Sequence, residues 1–212
     1  MAEAKLDTEV RREQIVEAAL TLAAEHGLRR LSVAAVARRV GLVPSGIYRH
    51  FKSKDDIIAA LLDRVERQLM ANVEAARREN ADPLDCLKSV LMRHIRFLRE
   101  GKVIFIPRTI FSDDVHVGNP QRRRHVLRIF THYIEQIGQI VREGQAQGAL
   151  RSDVEPKTVA LMFFGIIVPA GILWHLTDGG FDVTRHALKA WKLFCTAITI
   201  PVGSVDSQQR EH

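Results

Sequence analysis

Ile15, Ala18, Ala19, Leu22 and Ala23 fall on one face of a helix predicted over residues 9–26, which Gly27 stops. Val33, Val36, Ala37 and Val40 then repeat at i, i+3, i+4 and i+7. Ser32 stands where an N-cap is needed, and Gly41 where a helix end asks for positive φ. Pro44 suits a first helical turn, and Val43, Ile47 and Phe51 give a second short helix its apolar face. Two short helices joined by a tight glycine turn make a helix-turn-helix. Ser53 with Asp56 reads as a capping box opening a longer helix, with Ile57, Ile58, Leu61, Leu62, Val65 and Leu69 on one side.

Asn80, Asp82 and Pro83 interrupt this periodicity and mark a domain boundary. Beyond them the pattern stays helical, with no strand signal. Leu84, Leu87, Leu91, Ile95 and Leu98 line one helix up to Gly101, and a short apolar helix over 103–111 is distorted at Pro107. After a loop over 112–120, Val126, Phe130, Tyr133, Ile137 and Val141 line a long helix that ends at Gly144 and Gly148. Residues 159–174 carry no charge. That run is too short to cross a bilayer, is broken by Pro169, and is apolar on every side, so it needs a cover beyond its own domain. The last helix, with Ala187, Leu188, Trp191, Cys195 and Ile198 on one stripe, is its companion. Two such helices from each of two chains make a four-helix bundle, with Phe164, Ile167, Ala170, Leu188, Trp191 and Cys195 at the contact. The expected organisation is all-α: a helix-turn-helix domain at 1–54, a connecting helix at 55–80, an antiparallel helical domain at 81–202 and a polar, disordered tail at 203–212.

Charge sharpens this picture. Residues 29–54 hold seven Arg or Lys and no Asp or Glu, whereas the whole chain has 31 basic against 25 acidic residues, so the remainder sums to −1. A local electropositive face is what a surface meeting nucleic-acid phosphates requires. The second short helix leaves Pro44, Ser45, Gly46, Tyr48, Arg49 and His50 off its apolar face, and its slim N-terminal end suits a major groove. Lys54, in the first turn of the next helix, adds a phosphate clamp. Arg11 and Arg12 either reach the DNA backbone or sit in a solvated helix end beside Glu9 and Glu13.

Leu31-Ser32-Val33, Ala37 with Gly41, and Gly-Ile-Tyr-Arg-His-Phe-Lys-Ser-Lys from Gly46 to Lys54 resemble the DNA-binding domain of the tetracycline-repressor (TetR) family of bacterial regulators over roughly residues 10–60. The resemblance implies that Ser32, Tyr48 and Lys54 touch phosphates, that Pro44, Ser45, Gly46, Arg49 and His50 lie on or beside the bases, and that the last two long helices dimerise. The family usually caps the second helix with Ser or Thr. This chain has Val43 there.

In the helices from 84 to 176, Phe105, Arg108, Phe111, His132, Phe163 and Trp174 are expected to line a pocket for a small-molecule effector of unknown identity. Arg108 either anchors a ligand carboxylate, pairs with Asp113 or Asp114, or meets solvent. His94, His132 and His175 read first as satisfied core histidines. Asp113, Asp114 and His116 lack a second cluster to complete a metal site, and Cys86 and Cys195 lack metal or disulfide spacing. Neither a metal nor a cofactor is expected. No Gly-rich phosphate loop, GxSxG elbow, HExxH or Rossmann fingerprint occurs, and the N-terminal stretch has no signal-type apolar segment. The expected protein is a cytoplasmic homodimeric repressor, with no membrane partner, that binds double-stranded operator DNA. The alternatives are a DNA-bound scaffold for a protein partner and a small all-α enzyme.

Overall fold

The computed structural model describes residues 2–100 and 119–200. In chain order they form α1 (Ala2–His26), a 3-10 turn at Leu28–Arg30, α2 (Val33–Arg39), α3 (Pro44–Ile47), α4 (Lys54–Glu79), α5 (Pro83–Arg99), α6 (Pro120–Ala146), α7 (Pro156–Leu176) and α8 (Val183–Ile198). The described residues contain no strand, so the all-α architecture is as expected. The chain divides into two compact units, residues 1–69 with 97–130 and residues 70–96 with 131–212. The predicted helix over 103–111, with Phe105, Arg108 and Phe111, lies outside the described residues, as do Asp113, Asp114, His116 and the tail from 203.

In the first unit the expected faces of α1 and α4 are buried in full: Ile15, Ala18, Ala19, Leu22 and Ala23 on one, Ile57, Ile58, Leu61, Leu62, Val65 and Leu69 on the other. Ser32 caps α2, its Oγ accepting from the Ala35 N–H at 3.1 Å. The end of α2 is a Schellman turn, in which Leu42 N–H donates to Ala37 O at 2.8 Å and Gly41 N–H to Arg38 O at 3.3 Å, with Gly41 at φ 69°. The face of α3 differs from expectation at Val43, which is 65% exposed. Val43 is the N-cap, in extended backbone, and so lies out of phase with the helix that begins after it. Half-buried Leu42 takes its place, with three carbons 3.6–3.7 Å from where a Cβ on Gly46 would stand.

In the second unit α7 runs unbroken for 21 residues through Pro169, where a break was expected. Proline removes one backbone bond and presses on the carbonyl four residues back, here that of Gly165. Both residues are exposed, so the chain's own packing does not enclose the freed carbonyl. By length and apolar composition α7 is able to cross a membrane. Here Val159, Ala160, Phe163, Ile166, Ile167, Ala170 and Gly171 are buried, and α7 packs against α8. Phe163 meets Phe194 edge to face, their centroids 5.8 Å apart.

Candidate nucleic-acid interface

The short α3 is held from behind by Ile47 and Phe51, both buried, which leaves Pro44, Ser45, Tyr48 and Arg49 exposed and Gly46 and His50 half-buried. Val43 makes no side-chain cap bond, so the departure from the family's usual cap persists in three dimensions. Ser32 is exposed, and although its Oγ accepts the Ala35 N–H, its own hydroxyl proton remains available to a phosphate oxygen. Ser53 caps α4 through Asp56 N–H at 3.1 Å, placing half-buried Lys54 in the first helical turn. The eight residues singled out from sequence thus lie on α3, on its flanks and on the first turns of α2 and α4, all within the first unit.

Electrostatics trims the basic stretch. Arg39 forms a two-pronged pair with Glu25 at 3.0 and 3.2 Å, which holds that carboxyl below its ordinary range. Arg29, Arg30, Arg38, Arg49, Lys52 and Lys54 make no ion pair among the described residues. Six cations therefore remain for phosphates.

Arg12 has a role that sequence reasoning missed. Its guanidinium donates to the His50 carbonyl and lies 4.2 Å from the centre of the Phe51 ring, so it braces the end of the reading segment from α1. The Arg-Glu pattern around Arg12 gave no hint of this, because the contact spans 38 residues. His50 also departs from a purely surface role: its Nδ1 is buried without a hydrogen-bond partner.

The expected effector set is not brought together by the described residues. His132 is exposed, Phe163 is fully enclosed in the α7–α8 packing, and Trp174 is half-buried. The polar pair inside the second unit is instead His94 with Tyr133, whose hydroxyl lies 3.4 Å from His94 Nδ1. Burial pushes the His94 imidazole down to about 4 and the Tyr133 phenol up, so both are neutral near pH 7. Phe164 closes on Tyr133 edge to face at 6.0 Å. A depression of about 420 Å³ on the outer side of α8 is bordered by Asp182, Thr184, Arg185, Leu188, Lys189 and Lys192, and none of the expected effector residues lines it.

Three of the six expected dimer contacts also need correction. Ile167, Ala170 and Trp191 are buried against their own chain and offer no surface to another copy. Phe164 and Cys195 are half-buried, and Leu188 is exposed. The uncovered stripe of α7 lies opposite its buried face: Leu161, Met162, Ile172, Leu173 and Leu176, between 37 and 72% exposed, with Gly165 and Pro169 along its middle. An all-round apolar helix gives no periodic signal to say which side its own domain takes.

Asp63, Glu66 and His125 bring potential metal ligands within 4.8 Å of one another. Arg128 Nη2 lies 3.2, 3.1 and 3.0 Å from those same groups, so a guanidinium already supplies the positive charge at their focus. Both cysteines are free thiols, raised in pKa by burial.

Residues 15–61 match the family model "Bacterial regulatory proteins, tetR family", and residues 62–197 match "YsiA-like protein, C-terminal region". The chain is 24% identical over 185 residues to the Fatty acid metabolism regulator protein of Bacillus subtilis (strain 168), covering 87% of this chain and 94% of the relative. It is 25% identical over 189 residues to the Nucleoid occlusion factor SlmA of Vibrio vulnificus (strain YJ016), covering 89% and 95%. Among solved structures, the transcriptional regulator FadR from Bacillus subtilis in complex with stearoyl-CoA superposes with a TM-score of 0.75 at 23% identity, covering 88% and 98%.

Proposed function

The chain belongs to the TetR family of bacterial regulatory proteins, and from that premise we propose that it is a cytoplasmic, dimeric repressor released from a palindromic operator by an amphipathic acyl ligand. Its operator contacts are Ser32, Pro44, Ser45, Gly46, Tyr48, Arg49, His50 and Lys54. The observation that carries the DNA reading is the joint placement of α3 and the first turns of α2 and α4 in one unit, with six cations there left without an acidic partner. Positioning comes from Ser32, Tyr48 and Lys54 on phosphates, and sequence reading from the exposed side of α3.

Dimerisation is supported by the bare apolar stripe of α7, which a second copy would cover under twofold symmetry and so present two reading heads to two half-sites. The acyl ligand is supported by the similarity to a fatty acid metabolism regulator and by the neutral His94–Tyr133 pair. Two neutral hydrogen-bonding groups in an apolar interior suit an uncharged carbonyl or thioester rather than a free carboxylate. For release, the ligand must bind the DNA-incompetent state more tightly than the competent one. The helix α4, whose residues belong to both units, is the covalent route for that coupling.

The test is fluorescence anisotropy on a duplex selected by the protein from a random library, with stearoyl-CoA titrated in. Release at micromolar ligand supports the reading; unchanged binding at saturation refutes the acyl effector. The likeness to a nucleoid occlusion factor over 89% of the chain favours a second reading, a DNA-bound protein that acts through a protein partner without a small effector. That reading predicts the unchanged result.

A further inference from the structure

The segment that opens α6, Asn119-Pro120-Gln121-Arg122-Arg123-Arg124-His125-Val126-Leu127-Arg128, has four arginines and no acid. Within the first unit it runs beside the start of α4. Arg122 Nη2 donates to Asp55 at 2.7 Å, and Arg128 Nη2 donates to Asp63 at 3.2 Å and Glu66 at 3.1 Å. Residue numbers rise together along both helices, so their N-termini lie at the same end. That is the end where Lys54 stands, one residue before Asp55. Asn119 fixes the register: its Nδ2 donates to Asp55 at 3.2 Å, and its Oδ1 accepts from the N–H groups of Gln121 and Arg122 at 2.9 and 3.2 Å.

These contacts sort the four arginines. Arg122 and Arg128 are engaged by carboxylates of α4. Arg123 and Arg124 are exposed and make no ion pair among the described residues. We propose that Arg123 and Arg124 form a second phosphate-binding surface that carries the operator contact past the helix-turn-helix onto the flanking DNA backbone. This rests on the reading that the chain binds duplex DNA.

Two arguments favour DNA as the occupant. The patch adjoins the interface already described at the Arg122–Asp55 pair, one residue from Lys54 and one from Arg123 in sequence, and its sign matches a phosphate backbone. The charge of the carboxylate beside Lys54 that would repel phosphates, Asp55, is offset by Arg122, and Asn119 donates to its other oxygen. Among the described residues of the two helix starts, Asp56 is the one acid left against Lys52, Lys54, Arg123 and Arg124. Since the arginines leave from one helical turn with no ion pair or ring contact to orient them among the described residues, the contact is to backbone rather than to base edges, and it carries affinity without sequence preference.

The test compares wild type with Arg123→Ala/Arg124→Ala on a selected duplex carrying about 10 extra base pairs on each side. Each phosphate released contributes about −0.9 to the slope of log K against log[salt]. The double variant should lose roughly 2 from that slope if one protomer's pair is engaged and roughly 4 if both are. It should keep its base preference, and trimming the flanks should erase its difference from wild type. Arg123→Gln/Arg124→Gln repeats the measurement should the alanine variant fold poorly. Lys189→Ala/Lys192→Ala, which removes equal charge from the second unit, should leave the slope unchanged. A wild-type slope in both Arg123/Arg124 variants, while wild type binds DNA, overturns this proposal and leaves the DNA reading intact. Failure of wild type to bind any duplex overturns both.

Discussion

Gly165→Glu separates the two surfaces of α7 because its effects on the lone chain and on the assembly have opposite signs. Gly165 is exposed in the helix interior, and a Cβ added there meets nothing within 4 Å. Removing a mid-helix glycine stabilises the folded chain by roughly 0.5–1 kcal/mol, since glycine loses more backbone freedom on folding than other residues. The same position lies along the stripe of Leu161, Met162, Ile172, Leu173 and Leu176 that a second copy is proposed to cover. A carboxylate enclosed there without a partner costs several kcal/mol, and twofold symmetry imposes that cost twice. The dimer should weaken by at least ~5 kcal/mol, more than a thousandfold in dissociation constant. Sedimentation velocity at micromolar protein should show wild type as dimer and the variant as monomer, with operator affinity lost because one reading head cannot engage both half-sites. Helical circular dichroism should be retained. Ile167→Glu, at a position only 2% exposed in its own chain, should unfold the protein instead. A Gly165→Glu protein that remains dimeric would refute the assignment of this stripe to the interface.

Three further outcomes follow from the site and the core. Lys54→Ala should weaken binding to all sequences alike, while Arg49→Ala should also relax preference at one base pair by ~1–3 kcal/mol, as competition titrations against single-substituted duplexes will show. Val43→Ser supplies the α3 cap that the chain lacks and should raise stability by ~0.5–1 kcal/mol in urea melts. His94 titrates near 4 in the folded protein against an ordinary 6.5, so the unfolded chain takes up the proton first; stability is full above pH 6.5 and falls by roughly 3 kcal/mol on descending to pH 4. Urea melts across that range should show the slope for wild type and a flatter one for His94→Phe.

The helix-turn-helix was legible because local rules govern each of its parts. A serine cap, a glycine with positive φ and a proline at a first turn need no knowledge of the rest of the chain. Tertiary contacts decided what was misread. Val43 matched the four-residue spacing by count, yet the helix begins after it, and Leu42 packs in its stead. Arg12 found His50 and Phe51 across 38 residues, and His94 met Tyr133 across 39, distances over which spacing carries no information. On α7, hydrophobicity on every side conceals which stripe faces its own domain, and Ile167 and Ala170, expected at a dimer contact, are buried within their own chain.

The most direct test of the central claim is selection of wild-type protein against a random duplex library, followed by anisotropy titration of the enriched sequence. The account predicts an inverted repeat whose half-sites lie one helical turn or a small multiple apart, ~34–36 Å per turn, and a log K against log[salt] slope of about −5 or steeper. A library that enriches no sequence, together with a slope near zero, would contradict it.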